Sequence, residues 1–156
     1  MELRTDPMDL WTFRRDADGV RYLLLHTSQE KADRFFNGGR FWQIPAALIA
    51  RDETVVDASP RCLAELGLVA KSVWAVEHVY PIYNRRFDSL MLIPVFAAEV
   101  SRTDNITLDW EHSEARWCTA EECHPLLTYP GLLEGLHWTR AYITEASPPR
   151  PEFRLL

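Results

Sequence analysis

Two histidines and two cysteines are the side chains whose types most directly suggest metal chemistry. They are His112, Cys118, Cys123 and His124. Structural zinc sites use the same residue types, but in regularly spaced pairs, and this spacing matches no such motif. The sequence therefore predicts no zinc site. The chain has three cysteines, an odd number without framework spacing, which favours reduced thiols and a cytoplasmic location.

Charge limits the ligands that this chain is expected to bind. The 156 residues carry a formal net charge of −6, whereas a nucleic-acid polymer needs a basic stripe. An acidic site can still hold a small phosphorylated ligand through a bridging divalent cation. No apolar run approaches the roughly 20 residues of a membrane span, and the N-terminus lacks the apolar core of a signal peptide. We therefore expect neither a polynucleotide nor a membrane as partner.

The secondary-structure elements that must position the candidate side chains begin with a β-hairpin. Residues 9–15 alternate in polarity, residues 16–19 give a turn signal, and residues 20–25 form an apolar return strand. A short aromatic strand is predicted at residues 41–44. Longer strand-like stretches follow at residues 69–83, at residues 87–100 and near residues 106–108.

A proline interrupts the first helical pattern, which covers residues 52–68. Pro60 removes a helical donor and its ring clashes with the preceding turn. Ser59 is a favourable N-cap and proline a favourable first helical residue. We therefore predict a short helix that begins near Ser59, runs from Pro60 to Leu66 and is closed by Gly67.

The C-terminal third predicts two further helices and a tail. Residues 119–122 (Thr-Ala-Glu-Glu) form a capping box, and apolar residues between Leu132 and Ile143 recur at helical spacing. Residues 147–151 are rich in proline and predict an extended segment. With neither repeat nor linker, the chain is expected to form one domain (residues 1–146) and an extended tail (residues 147–156). The element order predicts the α/β (α+β) class, with a mixed sheet between helices.

A box-like motif and two later segments, in this order along the chain, resemble the Nudix hydrolase superfamily. Residues 41–45, 52–54 and 61–68 resemble the Nudix box, Gly-x5-Glu-x7-Arg-Glu-x-x-Glu-Glu-x-Gly. Residues 110–117 and 133–138 resemble the segments downstream of that box. The layout is closest to dATP and dihydroneopterin triphosphate pyrophosphohydrolases and to dinucleoside polyphosphate hydrolases. The resemblance implies an α/β/α sandwich and a small phosphorylated, nucleotide-like ligand.

The resemblance also implies a set of metal-binding and catalytic residues. Glu65 and Glu111 would bind Mg²⁺ or Mn²⁺, and Glu65, Glu53 and Arg61 would be catalytic, with Arg61 orienting the carboxylates through bidentate bonds. The alternatives are a solvated helix glutamate at 65, a role in the loop for Glu53, a plain loop acid at 111 and a helix-surface arginine at 61.

Two further residues are predicted to bind the substrate. Trp42 could stack on a base, although an aromatic residue in a short strand is also typical of a core. Arg86, in the basic turn at residues 84–86, could contact phosphates or could simply be solvated.

The box is eroded at several positions. Cys62 stands where the box has a glutamate, and of its Glu-Glu pair only Glu65 is a carboxylate. Ala46 and Ala47 replace the usual glycines, which would adopt positive φ more easily, and Pro60 lies within the helix. A hard ion would therefore lose an oxygen ligand and face a soft sulfur.

Two functions are compatible with this pattern. The first is a metal-dependent pyrophosphohydrolase of a nucleoside triphosphate or another nucleoside diphosphate derivative. The second is a catalytically inactive Nudix-fold module that binds a nucleotide or a related ligand. The sequence does not distinguish them, and it leaves open whether the protein is a homodimer.

Overall fold

The computed structural model describes residues 1–102 and 105–156. In this part of the chain the strands are β1 (Glu2–Arg4), β2 (Pro7–Asp16), β3 (Gly19–Thr27), β4 (Trp42–Gln43), β5 (Ala46–Leu48), β6 (Ala70–Asn84), β7 (Ser89–Val100) and β8 (His112–Cys118). The α-helices are α1 (Gln29–Phe35), α2 (Val55–Glu65), α3 (Ala120–Leu126) and α4 (Pro130–Thr139). None of the described helices is long and apolar enough to cross a membrane.

The eight strands form one mixed sheet. Its main order is β1-β7-β2-β3-β4, while β6 pairs with β7, β5 with β2 and β8 with β3. β7 runs parallel to β1 and β2, and the other pairs are antiparallel. The predicted hairpin is confirmed as β2 and β3, and the long strands at residues 69–83 and 87–100 are confirmed as β6 and β7.

The alternation of β2 divides the core between the two faces of this sheet. Met8 and Leu10 lie fully buried with Leu63 of α2 on one face. Trp11 and Phe13 lie fully buried with residues of α3 and α4 on the other. Side chains at alternate strand positions point to opposite faces, so one strand supports helices on both sides. The predicted α/β/α sandwich is confirmed.

The predicted start of the second helix is wrong. α2 begins at Val55 and continues through Pro60, with Thr54 as its N-cap. Thr54 and Asp57 exchange capping-box hydrogen bonds, and the Ser59 hydroxyl donates to the Val55 carbonyl at 2.8 Å. These bonds and the buried face of the helix outweigh the roughly 3 kcal/mol that proline costs in a helix interior.

The end of α2 agrees with the prediction. Gly67 has a φ of 77°, in the left-handed region that favours glycine. Its amide donates to Ala64 and the Leu68 amide donates to Leu63, which is a Schellman motif. The strand predicted near residues 106–108 is wrong: this segment has no regular secondary structure, and the Thr107 amide bonds to the Leu66 carbonyl instead.

The C-terminal helices are confirmed, whereas the tail is only partly extended. Thr119 and Glu122 form the predicted capping box of α3, and the helix from Pro130 continues as a π-helical turn, Arg140–Thr144. In the tail, Pro151–Phe153 form a 3₁₀ turn. The last two residues exchange backbone hydrogen bonds with Val73 of β6, because this sheet edge offers free amides and carbonyls.

Candidate functional site

A cleft with two halves opens beside β2, and we name the halves by the side chains that line them. The charged half, a cavity of about 740 Å³, includes Arg61, Glu65 and Glu111 in its lining. The aromatic half, of about 600 Å³, includes Phe41 and Tyr80. Residues shared by both linings make the two cavities one continuous cleft; they include Asp9, Lys31, Gln43, Asn84 and Arg86.

In the eroded box, Arg61 holds the loop before α2 against the helix. Its guanidinium donates to both carboxylate oxygens of Glu53, at 2.7 and 2.8 Å, and to the Leu48 carbonyl at 2.9 Å. The Ala50 amide donates to the same carboxylate at 2.9 Å. Hydrogen bonding to Arg61 is the main reason why the pKa of Glu53 falls to about 2. Glu53 and Arg61 therefore act as a clamp that fixes this loop.

The two remaining box positions face different surroundings. Glu65 is 70 % exposed, and its carboxylate lies 3.5 Å from the Arg61 guanidinium. Cys62 is buried, and its thiol donates to the Ala46 carbonyl at 3.6 Å. Burial raises the pKa of the Cys62 thiol to about 12, so the thiol stays protonated. Ala46 and Ala47 lie in β5, paired with β2, and neither adopts positive φ.

A second charged group joins the two halves of the cleft. One carboxylate oxygen of Glu111 lies 3.4 Å from the Lys31 ammonium and 2.8 Å from the Arg86 guanidinium. Burial lowers the pKa of Lys31. Burial works to raise the pKa of Glu111, but the two cations outweigh it and the net shift is downward. Glu111 is thus held as an anion between two cations.

The loop that carries Glu111 is fixed by its own backbone. The Glu111 amide donates to the Asp109 side chain at 2.9 Å, and the Ser28 amide donates to the Glu111 carbonyl at 2.8 Å. Arg86 is positioned by rings, since its guanidinium lies 4.6 Å from the Phe35 centroid and 5.4 Å from that of Phe87.

The aromatic half is walled by rings in edge-to-face contact. Phe41 meets Tyr129 at 5.0 Å and Phe36 at 4.8 Å between centroids. Such walls provide flat apolar surface against which a heterocyclic ring can pack.

Asp9 lies on the border of the two halves and is buried, at 6 % exposure. It accepts a hydrogen bond from the Tyr80 hydroxyl. Burial raises the pKa of Asp9 to about 6, and the bond from Tyr80 works against that rise. Sequence reasoning missed Asp9, Tyr80 and Lys31. The sequence did contain one signal: Asp9 is a carboxylate on the same strand face as the apolar residues Trp11 and Phe13.

Trp42 lies in the core, apart from both halves of the cleft. Its ring stacks on His26 at 4.5 Å with an interplanar angle of 15°, and the Arg116 guanidinium lies 4.7 Å from its centroid. Only 8 % of Trp42 is exposed, and it lines neither cavity. Arg86, by contrast, lines both of them.

The predicted metal ligands, Glu65 and Glu111, each pair with a cation of the protein. Within residues 1–102 and 105–156, no group of three or more histidine, cysteine, aspartate or glutamate side chains could hold one. Glu53 accepts two hydrogen bonds from Arg61 and one from a backbone amide, Glu65 lies 3.5 Å from that arginine, and one oxygen of Glu111 lies between two cations. Hard cations need several oxygen ligands with free lone pairs, and each of these carboxylates already pairs with a cation of the protein.

Comparison with known proteins identifies the fold. No protein-family model and no curated protein matches the chain. A Listeria monocytogenes protein assigned as a Nudix hydrolase is 19 % identical with a TM-score of 0.72, over 91 % of this chain and 96 % of that one. A C. elegans Ap4A hydrolase is 16 % identical with a TM-score of 0.70, over 92 % and 100 %.

A third similar structure carries a ligand. It is the Nudix domain of Shewanella oneidensis NrtR complexed with ADP ribose, which is 16 % identical with a TM-score of 0.70, over 92 % of this chain and 91 % of that one. The chain therefore has the Nudix fold, as the box resemblance implied.

Proposed function

We propose that this Nudix-fold protein binds a nucleotide-like diphosphate without using a catalytic metal ion. The observation that carries the proposal is the contrast within one cleft. Lys31 and Arg86 present two cations at the border of an aromatic cavity, while the carboxylates expected to bind metal are already paired with arginine or lysine.

The two halves of the cleft suit two parts of one ligand. A base packs against the aromatic walls formed by Phe41 and Tyr129. The diphosphate contacts the Lys31 ammonium and the Arg86 guanidinium through charge-assisted hydrogen bonds. Glu111 is the internal anion that the diphosphate displaces from these cations. ADP ribose, with which the similar NrtR domain is complexed, combines the same chemical parts.

The alternative, a metal-dependent pyrophosphohydrolase, has support from the fold and from the hydrolase names of similar structures. It requires oxygen ligands that Glu53, Glu65 and Glu111 do not offer in their present pairing. Fold alone does not fix chemistry, and the pairing of these carboxylates supports the binding proposal.

Calorimetric titration with ADP and ADP-ribose tests the proposal. We expect similar affinities in EDTA and in excess Mg²⁺, and no release of phosphate or AMP during long incubation. Binding that appears only with Mg²⁺, together with product formation, would establish the hydrolase instead. Absence of binding in both buffers would reject the proposed ligand class.

A further inference from the structure

We infer that Asp9 selects the base of the bound nucleotide by accepting a hydrogen bond from an N–H donor on the edge of the ring. This inference rests on the proposed function, because it assumes that a nucleotide occupies the cleft. It adds the chemical class of the ring, namely a heterocycle that carries an amino group, and the residue that recognises it.

The first argument is the unused hydrogen-bonding capacity of Asp9. An ionised carboxylate accepts about four hydrogen bonds. Within the described residues, the one side-chain bond to Asp9 comes from Tyr80 and reaches Oδ2. Asp9 lines both halves of the cleft, and we place its remaining acceptor capacity there.

The second argument is that, among residues 1–102 and 105–156, no cation forms an ion pair with Asp9. Burial is the main cause of its pKa shift, and the hydrogen bond from Tyr80 opposes it. Lys31 lines the same cleft, but its ammonium bonds to Gln43 at 3.3 Å and pairs with Glu111 at 3.4 Å. A buried carboxylate without a counter-ion is costly, and a ligand N–H group lowers that cost by donating to it. A phosphate at the same place would be repelled, which fixes the orientation of the ligand.

The third argument is that the carboxylate is held rigidly. Tyr80, its hydrogen-bond donor, packs so closely on α4 that a Cβ at Gly131 would overlap the tyrosine ring. On the backbone, Asp9 pairs with Val95 of β7 on one side and with Ala46 of β5 on the other. A fixed acceptor discriminates between ring edges better than a mobile one, because no ordering cost is added on binding.

Two matched pairs of ligands test this inference. ADP and the 5′-diphosphate of purine riboside differ by one amino group, as do GDP and IDP. In at least one pair we expect the wild-type protein to bind the amino-bearing ligand about tenfold more tightly, about 1.4 kcal/mol. Asp9→Leu should reduce that ratio to about one. Asp9→Asn, which preserves shape, should reduce it in part because the acceptor loses its charge.

The control is Asp18→Asn, in the β2–β3 turn, where the side chain is 72 % exposed; it should keep the wild-type ratio. Thermal melting will identify any variant that does not fold, and Asp9→Asn then replaces Asp9→Leu. Equal affinities in both ligand pairs for the wild-type protein would overturn this inference but not the proposed function. The same holds if the affinity ratio survives in the Asp9 variants. Failure of all four diphosphates to bind the wild-type protein would overturn the proposed function as well.

Discussion

Two groups of charged side chains line the same cleft, and they differ in what they leave available. In the α2 group, Arg61 contacts both Glu53 and Glu65, and its remaining bond goes to a backbone carbonyl. In the border group, Lys31 and Arg86 share a single carboxylate, that of Glu111. The first group balances two anions with one cation, and the second balances one anion with two cations.

This difference indicates which group is structural and which is available to a ligand. The Arg61–Glu53 clamp ties α2 to the loop before it. The border group keeps an excess positive charge beside an aromatic cavity, which favours an anionic ligand. The box resemblance directs attention to the first group, whereas the geometry directs it to the second.

The largest expected effect comes from forcing a carboxylate into the α2 group. Cys62→Glu would place an acid where a buried thiol now bonds to Ala46. We expect the unfolding free energy to fall by about 3 kcal/mol, with no added stabilisation by Mg²⁺. Denaturant unfolding with and without Mg²⁺ measures both quantities. A Cys62→Glu protein stabilised by Mg²⁺ would restore the metal-site hypothesis, and Cys62→Ser serves as a size-matched control.

The next effect concerns the border group. Lys31→Met keeps the length of a buried side chain but removes its charge. We expect ADP affinity to fall about 30-fold, since a hydrogen bond to a charged group contributes roughly 1.5–3 kcal/mol. Lys71→Met, at a lysine that is 56 % exposed and pairs with Glu99, should bind ADP as the wild-type protein does. Unchanged affinity in Lys31→Met would remove the ammonium from the binding site.

A smaller effect follows from the buried carboxyl of Asp9. Its pKa in the folded protein is raised from 3.8 to about 6, so the folded state binds more protons between these values. Its contribution to stability therefore grows as pH falls through 6, by about 1 kcal/mol between pH 7 and pH 5. The lowered pKa values of His26 and His112 act in the opposite direction. The measurement is therefore the difference in unfolding free energy between the wild type and Asp9→Asn as a function of pH. A difference that stays constant across this pH range would contradict the burial of a titrating acid.

The smallest effect concerns the missing glycine of the box. Ala47 is a strand residue paired with Met8, so Ala47→Gly should cost about 0.5 kcal/mol through backbone entropy. It should not create Mg²⁺ binding, because positive φ is not required there. Calorimetric Mg²⁺ titration and thermal melting measure these two outcomes, and Mg²⁺ binding by this variant would implicate the loop.

Local signals in the sequence were sufficient for most of the fold. The hairpin, the long strands and both capping patterns follow from periodicity and cap residues, as at Thr119 and Gly67. The start of α2 did not follow, because the cost of Pro60 had to be weighed against tertiary burial that only the folded chain provides. The segment at residues 106–108 failed for a related reason, since its backbone bonds to the end of α2 rather than to a strand.

The candidate site was less predictable than the fold. The box motif located Arg61 and Glu65 at the cleft, and the basic turn located Arg86. The box resemblance implied that Arg61 binds carboxylates, and Arg61 does bind Glu53, but motif spacing could not reveal that Lys31 lies beside Glu111. Lys31 and Glu111 lie on segments that are far apart in sequence. Trp42 illustrates the opposite case, since its aromatic type suited a base although its strand position buried it.

Removing the charge of Glu111 is the most direct test of the central claim that the border cations bind a diphosphate without metal. Glu111→Gln frees Lys31 and Arg86 from their internal anion, so ADP affinity should rise about fivefold, about 1 kcal/mol, equally in EDTA and in Mg²⁺. The control Glu114→Gln, at a carboxylate of β8 paired with Arg116, should leave the affinity unchanged. Loss of ADP affinity in Glu111→Gln, seen only when Mg²⁺ is present, would contradict the account and make Glu111 a metal ligand.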